Sequence, residues 1–261
     1  MIRKVKKIWQ ELPQEVIKEI DYINHKPRKL LFDHLPKCGG LSIIYYLKKN
    51  YPRRKTYAIK PIDSNFYAEL FTKFSTHKRY EYDLICGHGA KRLLEYVSPN
   101  CLTMTVFREP IERIISHYFF AKRFPHHYLN KLINEQNLSL EDYAISGIST
   151  ELKNYYTIRF SELGKEEAEK NPQEAIEKAL NFIKKYDLVG TLDNLPNLMK
   201  EVEKKANLKY SYNDQERRNV ATQRPSPQEI SPRIIETIKE VNHLDIILYQ
   251  KIREIYSQSP I

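Results

Sequence analysis

Cysteine is scarce in this chain of 261 residues. The three cysteines, Cys38, Cys86 and Cys101, lie far apart and form no CxxC pair. An odd, scattered set of this kind argues against a disulfide framework and against a zinc site. A reducing compartment fits this pattern best, and we expect a cytoplasmic protein without a metal ion.

Long apolar runs are also absent. No stretch of about 18 consecutive apolar residues occurs, so the sequence predicts no membrane-spanning helix and no stable membrane insertion. The N-terminal residues are basic but lack the continuous apolar segment of a secretory signal. A chain whose membrane anchor had been removed would give the same pattern, so that alternative stays open.

Basic residues outnumber acidic ones, 43 to 33, which gives a formal charge of +10. This balance favours an anionic partner: nucleic acid, a phosphorylated cofactor, an acidic glycan or a membrane surface. Most of these lysines and arginines are expected to be solvated surface residues. Only the basic residues beside a turn or a strand end help to decide among these partners. A hydrophobic fraction of 41% predicts a folded, globular chain.

Short apolar runs alternate with helical patterns, which predicts an α/β fold around a mainly parallel sheet. The predicted strands are Leu30 to Leu35, Asp83 to Gly87, Leu102 to Phe107 and Asp187 to Leu192. The predicted helices are Leu41 to Lys49, Pro110 to Lys122, Glu166 to Lys185, Leu195 to Ala206 and Ser231 to Tyr256. Loops are predicted at Arg53 to Ile62 and Asn213 to Pro227.

The length favours one domain covering residues 1–261. Within it we expect four parts. They are an N-terminal helical extension (1–29), a core (30–123), a helical insertion (124–186), and the last strand with the C-terminal helices (187–261).

The first motif is the segment LPKCGGLS, which runs from a strand through a Pro/Gly turn into a helix. A helix N-terminus offers free backbone N–H groups to an anion, and Gly39 and Gly40 let the backbone approach it closely. Lys37 adds a cation and Ser42 a hydroxyl. Lys37 precedes the glycines, so this is not a Walker A loop. A glycine-containing connection with a solvent-exposed lysine is the alternative interpretation.

The second motif places Arg108 at the end of a strand, two residues before the helix start at Pro110. Ligands of open α/β sheets bind at the carboxyl ends of strands, where an arginine offers a planar fork to phosphate. The alternative is a surface ion pair of Arg108 with Glu109 or Glu112.

The helix after Arg108 has an apolar side, which leaves Arg113 and Ser116 on a different side. The residues predicted to be buried are Ile111, Ile114, Ile115 and Tyr118.

Together the two motifs resemble those of sulfotransferases that use 3′-phosphoadenosine 5′-phosphosulfate (PAPS). LPKCGGLS is similar to their 5′-phosphosulfate loop and FREPIERIISHYFF to their 3′-phosphate motif, in the same order. The form is that of the carbohydrate type, and it resembles the heparan sulfate 2-O-sulfotransferase group. The resemblance is firm over residues 30–123. It continues in outline to Asp187 to Thr191 and to Arg217 and Arg218. It implies a P-loop-like, three-layer α/β/α fold, with a donor-binding core at 30–123 and the helical insertion 124–186 on the acceptor side.

This resemblance implies a role for each matching residue. Lys37 would contact the bridging or sulfuryl oxygen, and Arg108 with Ser116 would hold the 3′-phosphate. Arg218 is included among the donor-binding candidates. The 5′-phosphate would be held by the backbone of the loop, which consists of Cys38, Gly39, Gly40, Leu41 and Ser42. Cys38 and Leu41 stand where the family usually has hydroxyl residues. Cys38 is interpreted as a space-filling residue, with a reactive thiol at a helix N-terminus as the alternative.

A candidate general base follows the strand that ends at Gly87. His88 emerges at that strand's carboxyl end, and a neutral histidine is suited to removing a proton from a hydroxyl. In the family that the sequence resembles, the histidine of a Gly-His pair after the corresponding strand is the general base. His34 and His117 are further candidates, and a histidine that is simply hydrogen-bonded in a turn is the alternative.

The resemblance implies sulfuryl transfer from PAPS to a hydroxyl of a carbohydrate or glycoconjugate, without a metal and without a nucleic acid partner. Two other functions stay open. One is a P-loop-type nucleotide kinase, although the Walker A order is missing. The other is a non-catalytic glycan-binding relative. The identity of the acceptor and the oligomeric state are not predicted.

Overall fold

A computed structural model describes residues 13–216 and 225–256. Two compact units can be distinguished within these residues. Unit 1 consists of 13–34, 40–105 and 195–216, and unit 2 of 35–39, 106–194 and 225–256. The predicted division into four parts of one domain stays a prediction. None of the helices in the described ranges is long and apolar enough to span a membrane.

Unit 1 contains the first four strands, the last of which continues into unit 2. Its helices are α1 (Gln14–Asn24), α2 (Gly40–Asn50), α3 (Ser64–Lys73), α4 (Thr76–Tyr80) and α11 (Leu195–Ala206). Its strands are β1 (Leu30–Asp33), β2 (Thr56–Ile59), β3 (Leu84–Gly87) and β4 (Leu102–Phe107).

Unit 2 holds the end of β4 and the fifth strand, β5 (Leu188–Thr191). The helices before β5 are α5 (Pro110–Arg123), α6 (Asn130–Glu135), α7 (Leu140–Ile145), α8 (Tyr155–Ser161), α9 (Lys165–Lys170) and α10 (Pro172–Ile183). The helices after β5 in this unit are α12 (Pro232–Val241) and α13 (His243–Tyr256).

The strands form one parallel sheet in the order β2-β3-β1-β4-β5 across the described ranges, flanked by helices. β1 lies between β3 and β4, with Asp33 opposite both Gly87 and Thr105. Since parallel strands end at the same edge of a sheet, the segments after β1, β3 and β4 leave from one edge. The predicted α/β fold with a parallel sheet is confirmed.

Burial explains why four of the five strands could be read from the sequence. Every residue of β1, β3, β4 and β5 is buried, which requires the continuous apolar runs typical of parallel strands. The edge strand β2 was predicted as part of a loop, and that prediction is wrong. In β2 only Tyr57 and Ile59 are buried, so the apolar run is interrupted.

Two predicted helices are each divided into two. The pattern from Glu166 to Lys185 forms α9 and α10, because Asn171 precedes Pro172 and takes a non-helical conformation, with φ −124° and ψ 63°. The pattern from Ser231 to Tyr256 breaks at Asn242, whose side chain accepts a hydrogen bond from the backbone N–H of Asn154. A continuous apolar face does not reveal such an interruption.

Each unit has its own apolar core. One cluster of buried residues in unit 1 consists of Leu31, Tyr57, Ile59, Ala68, Phe71, Ile85, Ala90, Leu93 and Cys101. One cluster in unit 2 consists of Ile114, Ile115, Tyr118, Ala121, Leu129, Ile133, Leu140, Tyr143, Ala144, Leu152, Ile230 and Ile238. Of the four residues of α5 predicted to be buried, Ile114, Ile115 and Tyr118 are buried and Ile111 is only partly buried.

Candidate active site

The first motif forms a tight turn between β1 and α2. Lys37 and Gly39 have positive φ angles, 65° and 75°. The φ of Gly39 lies in the region that favours glycine, and a Cβ there would lie 2.6 Å from Leu192 Cδ1, so the Leu192 side chain would also have to move. α2 begins at Gly40, and its first turn contains the exposed Leu41 and the buried Ser42. The predicted passage from strand through turn to helix is therefore present.

Cys38 is buried within this turn. Its thiol lies 3.4 Å from the carbonyl oxygen of Pro36 and 3.1 Å from the hydroxyl of Tyr156. Burial raises the pKa of the Cys38 thiol above its ordinary value, despite the hydrogen bond with Tyr156. The thiol therefore stays protonated at neutral pH, which favours the space-filling interpretation over a reactive thiolate.

The Lys37 side chain lies against helix α5 of the same unit. Its Nζ is 3.5 Å from the centroid of the Phe120 ring, in the geometry of a cation–π contact. Phe120 stacks on Phe124, with 5.2 Å between ring centroids, and Phe124 is exposed. The Lys37 amine is therefore connected through Phe120 to Phe124, which is exposed to solvent.

Arg108 contacts the first motif directly. Its Nη1 donates a hydrogen bond to the carbonyl oxygen of Lys37 at 3.2 Å, and its Nη2 lies 2.7 Å from Glu112 Oε2. The alternative expected from the sequence, an ion pair with Glu112, is thus present. It is more than a surface pair, because the Arg108 side chain is largely buried and also holds the lysine loop. Glu109 caps α5 by accepting a hydrogen bond from the N–H of Glu112.

The remaining residues of the second motif are placed differently. Ser116 is half-buried on α5. Arg113 was predicted to lie away from the buried side of the helix, and that prediction is wrong. Its guanidinium is fully buried, donates to the carbonyl oxygen of Glu151 at 2.7 Å, and lies over the rings of Tyr155 and Tyr156. Arg218 lies outside the described residues.

Tyr156 joins the two motifs and was missed by the sequence analysis. Its buried hydroxyl donates to the carbonyl oxygen of Arg108 at 3.0 Å, accepts from the N–H of Arg108 at 3.2 Å, and contacts the thiol of Cys38. Tyr156 comes from α8, far along the chain, and is one of 19 tyrosines. No local pattern in the sequence distinguishes it from the others.

In unit 1, His88 follows β3 as predicted. Its Nδ1 lies 2.8 Å from the carbonyl oxygen of His34. A carbonyl oxygen can only accept, so Nδ1 carries the proton and, in the neutral ring, Nε2 keeps its lone pair. That is the tautomer in which Nε2 can take a proton from a hydroxyl.

His117 has a different environment from His88. It is buried in unit 2, where Nδ1 lies 2.5 Å from the hydroxyl of Tyr143 and Nε2 lies 2.7 Å from Glu151 Oε2. Both ring nitrogens are therefore hydrogen-bonded to protein groups, so His117 is a weaker candidate for the base than His88.

An all-parallel sheet, with a lysine-containing turn between its first strand and the following helix, defines an α/β protein. The model of the sulfotransferase family matches residues 21–252, and the chain belongs to this family. It is therefore a sulfotransferase, an enzyme of the transferase class. A comparison with curated proteins finds no match. Membership of this family favours sulfuryl transfer over the kinase alternative.

Proposed function

We propose that this sulfotransferase moves the sulfuryl group of PAPS to a hydroxyl of a carbohydrate or glycoconjugate. The observation that carries the proposal is the hydrogen bond from Arg108 to the backbone of Lys37. It joins a permanently charged guanidinium to the turn that presents an ammonium group, within one compact unit. A donor with phosphate at both the 3′ and the 5′ position of its ribose needs two such cations.

The residues present fit this donor. The backbone of Cys38 to Ser42 would receive the 5′-phosphate, because it leads into the N-terminus of α2. Arg108 and Ser116 would hold the 3′-phosphate, and Arg218 is proposed as a further donor contact. Leu41 is exposed and has no hydroxyl, so contacts at that position come from its backbone.

The reaction is an in-line displacement at sulfur. The acceptor oxygen forms a bond to sulfur while the bond from sulfur to the 5′-phosphate oxygen breaks, and the acceptor proton moves to His88 Nε2. 3′-Phosphoadenosine 5′-phosphate (PAP) leaves. Negative charge grows on the departing oxygen, so Lys37 stabilises the transition state more than the bound donor.

Two features support a carbohydrate acceptor. Phe124 and Tyr128 are exposed aromatic residues of unit 2, and each is linked to the Phe120 ring beneath Lys37 Nζ, Phe124 directly and Tyr128 through the His127 ring. Aromatic faces of this kind can stack on sugar rings. The net charge of +10 favours an acidic acceptor such as a sulfated or carboxylated glycan.

The proposal is tested by incubating the protein with PAPS and a panel of acceptors that includes glycans, glycolipids, phenols and tyrosine peptides. The expected result is the mass gain of one sulfuryl group on a glycan, and Lys37→Ala should lower kcat by roughly a hundredfold or more. Lys48→Ala, an exposed lysine on α2, is the matched control. Sulfation of phenols or tyrosine peptides alone would contradict the carbohydrate acceptor.

Thermal shifts separate the other two functions. PAP should raise the unfolding temperature, whereas ATP with magnesium should not. The opposite order would support a nucleotide kinase. Glycan binding without sulfuryl transfer to any member of the panel would support a non-catalytic relative.

A further inference from the structure

Two histidines of unit 1 stack on each other just beyond the carboxyl ends of β1 and β3. The ring centroids of His34 and His88 are 4.2 Å apart and the ring planes differ by 25°. This contact follows from the register of the strands. Asp33 of β1 pairs with Gly87 of β3, and His34 and His88 are the residues that follow them. The two histidines therefore lie side by side, at about the usual spacing of 4.8 Å between neighbouring strands.

The backbone extends this pairing beyond the strands. The N–H of His34 donates to the carbonyl oxygen of Gly87 at 3.2 Å, and His88 Nδ1 donates to the carbonyl oxygen of His34 at 2.8 Å. The buried Asp33 carboxylate also accepts the N–H of Lys91 at 3.0 Å, in the turn that carries His88. His88 is therefore held at its ring nitrogen, at its ring face and through its turn.

The His34 ring is itself closely confined. It stacks on Phe32, with 5.8 Å between centroids, and only 7% of the residue is exposed. A Cβ at Gly40 would lie 1.8 Å from His34 Cδ2, so the ring occupies the space above the first residue of α2. A side chain confined in this way presents a fixed flat surface to His88.

We propose that His34 is a positioning residue, which holds the His88 ring so that Nε2 faces the acceptor hydroxyl. This inference rests on the proposed function, in which His88 is the base. In this role the face of the His34 ring packs against His88 and limits its rotation, whereas the nitrogens of His34 take no proton from the acceptor. Loss of the ring leaves His88 free to rotate away from the carbonyl oxygen of His34, and small losses of alignment lower the rate strongly.

The test uses the full chain with PAPS and the best acceptor of the panel. His34→Ala removes the stacking face, whereas His34→Phe keeps a flat ring without nitrogens. We expect His34→Ala to lower kcat about ten- to a hundredfold with little change in the KM for PAPS. His34→Phe should recover most of that loss. His88→Ala should be the least active variant, with Nε2 absent.

A structural readout is independent of activity. In nitrogen-resolved NMR of the imidazole rings, His88 should be a single Nδ1–H tautomer in the wild type and in His34→Phe. It should give a mixture of tautomers in His34→Ala. PAP binding and near-UV circular dichroism confirm that each variant is folded.

The outcomes separate the inference from the proposed function. If His34→Phe is as inactive as His34→Ala, the nitrogens of His34 are needed and the positioning role is wrong. Wild-type kcat in His34→Ala, beside an inactive His88→Ala, would also overturn it while leaving the base in place. Absence of sulfuryl transfer by the wild type, with the NMR tautomer pattern as expected, would overturn the proposed function alone.

Discussion

Arg108 donates a hydrogen bond from its guanidinium to the backbone carbonyl of Lys37, with 3.2 Å between nitrogen and oxygen. The two residues are far apart in the sequence and belong to different motifs. Their contact makes the lysine turn and the start of α5 one local assembly within unit 2.

Tyr156→Phe should weaken PAP binding. The variant loses the hydroxyl that bonds to both the N–H and the carbonyl of Arg108 and contacts Cys38. Leaving a buried N–H unpaired costs about 1 to 3 kcal/mol in the free energy of unfolding, which urea denaturation measures. Calorimetric titration with PAP should give several-fold weaker binding.

Tyr51→Phe is the matched control for Tyr156→Phe. Tyr51 is equally buried and donates to the carbonyl oxygen of Arg28 in unit 1, at 2.6 Å. Its loss should lower the free energy of unfolding by about 1 kcal/mol without changing the affinity for PAP. Equal PAP affinity in Tyr156→Phe and the wild type would contradict the role given to Tyr156.

Gly40→Ala should destabilise the fold because its Cβ would overlap the His34 ring. Overpacking of this kind costs about 1 to 3 kcal/mol. The double variant Gly40→Ala with His34→Ala should lose less than the sum of the single variants, since removing the ring makes room. Gly164→Ala, where a Cβ meets nothing within 4 Å, is the control. Strict additivity would show that the clash is not with His34.

The stability of the protein should fall in mild acid because of His127. Burial, together with nearby His117 and Lys37, lowers the pKa of His127 from 6.5 to about 4, against the opposing effect of Glu151. Between these two pKa values His127 binds a proton in the unfolded chain but not in the folded chain. The free energy of unfolding is therefore unaffected by His127 above pH 6.5 and decreases as the pH falls toward 4. His127 is half-buried, so solvent screening reduces the effect.

Urea denaturation of the wild type and His127→Phe at several pH values checks this prediction. The variant should show a flatter dependence of the urea midpoint on pH below 6.5. His77→Phe is the control, because the His77 side chain is 92% exposed. An unchanged slope in His127→Phe would mean that other groups cause the acid sensitivity.

The strands whose residues are all buried could be predicted from the sequence. Strands such as β1 and β4 need continuous apolar residues, and the turn at Lys37 needs glycine, so both leave a local signal. The edge strand β2 leaves a weaker signal because only half of its residues are buried. Local patterns therefore located the two motifs that define the candidate site.

Contacts between distant segments could not be read in the same way. Arg113 looked like a solvent-facing charge, because its partners Glu151 and Asp245 come from segments much later in the chain. The stacking of His34 on His88 depends on the register of β1 against β3, which the strand sequences do not specify. These relationships needed the three-dimensional structure.

The central claim is that Lys37 and Arg108 act on opposite ends of one doubly phosphorylated nucleotide. It is tested most directly by comparing calorimetric affinities for PAP and for AMP, which lacks the 3′-phosphate. The wild type should prefer PAP by at least about tenfold, since a charge-assisted hydrogen bond contributes about 1.5 to 3 kcal/mol.

Arg108→Ala should remove most of this preference, because only Ser116 and Arg218 remain as proposed donor contacts. Lys37→Ala should weaken the binding of both ligands while retaining the preference. Arg123→Ala, which changes an exposed arginine at the end of α5, should behave as the wild type in this measurement. A preference for PAP in Arg108→Ala as large as that of the wild type would contradict the role of Arg108.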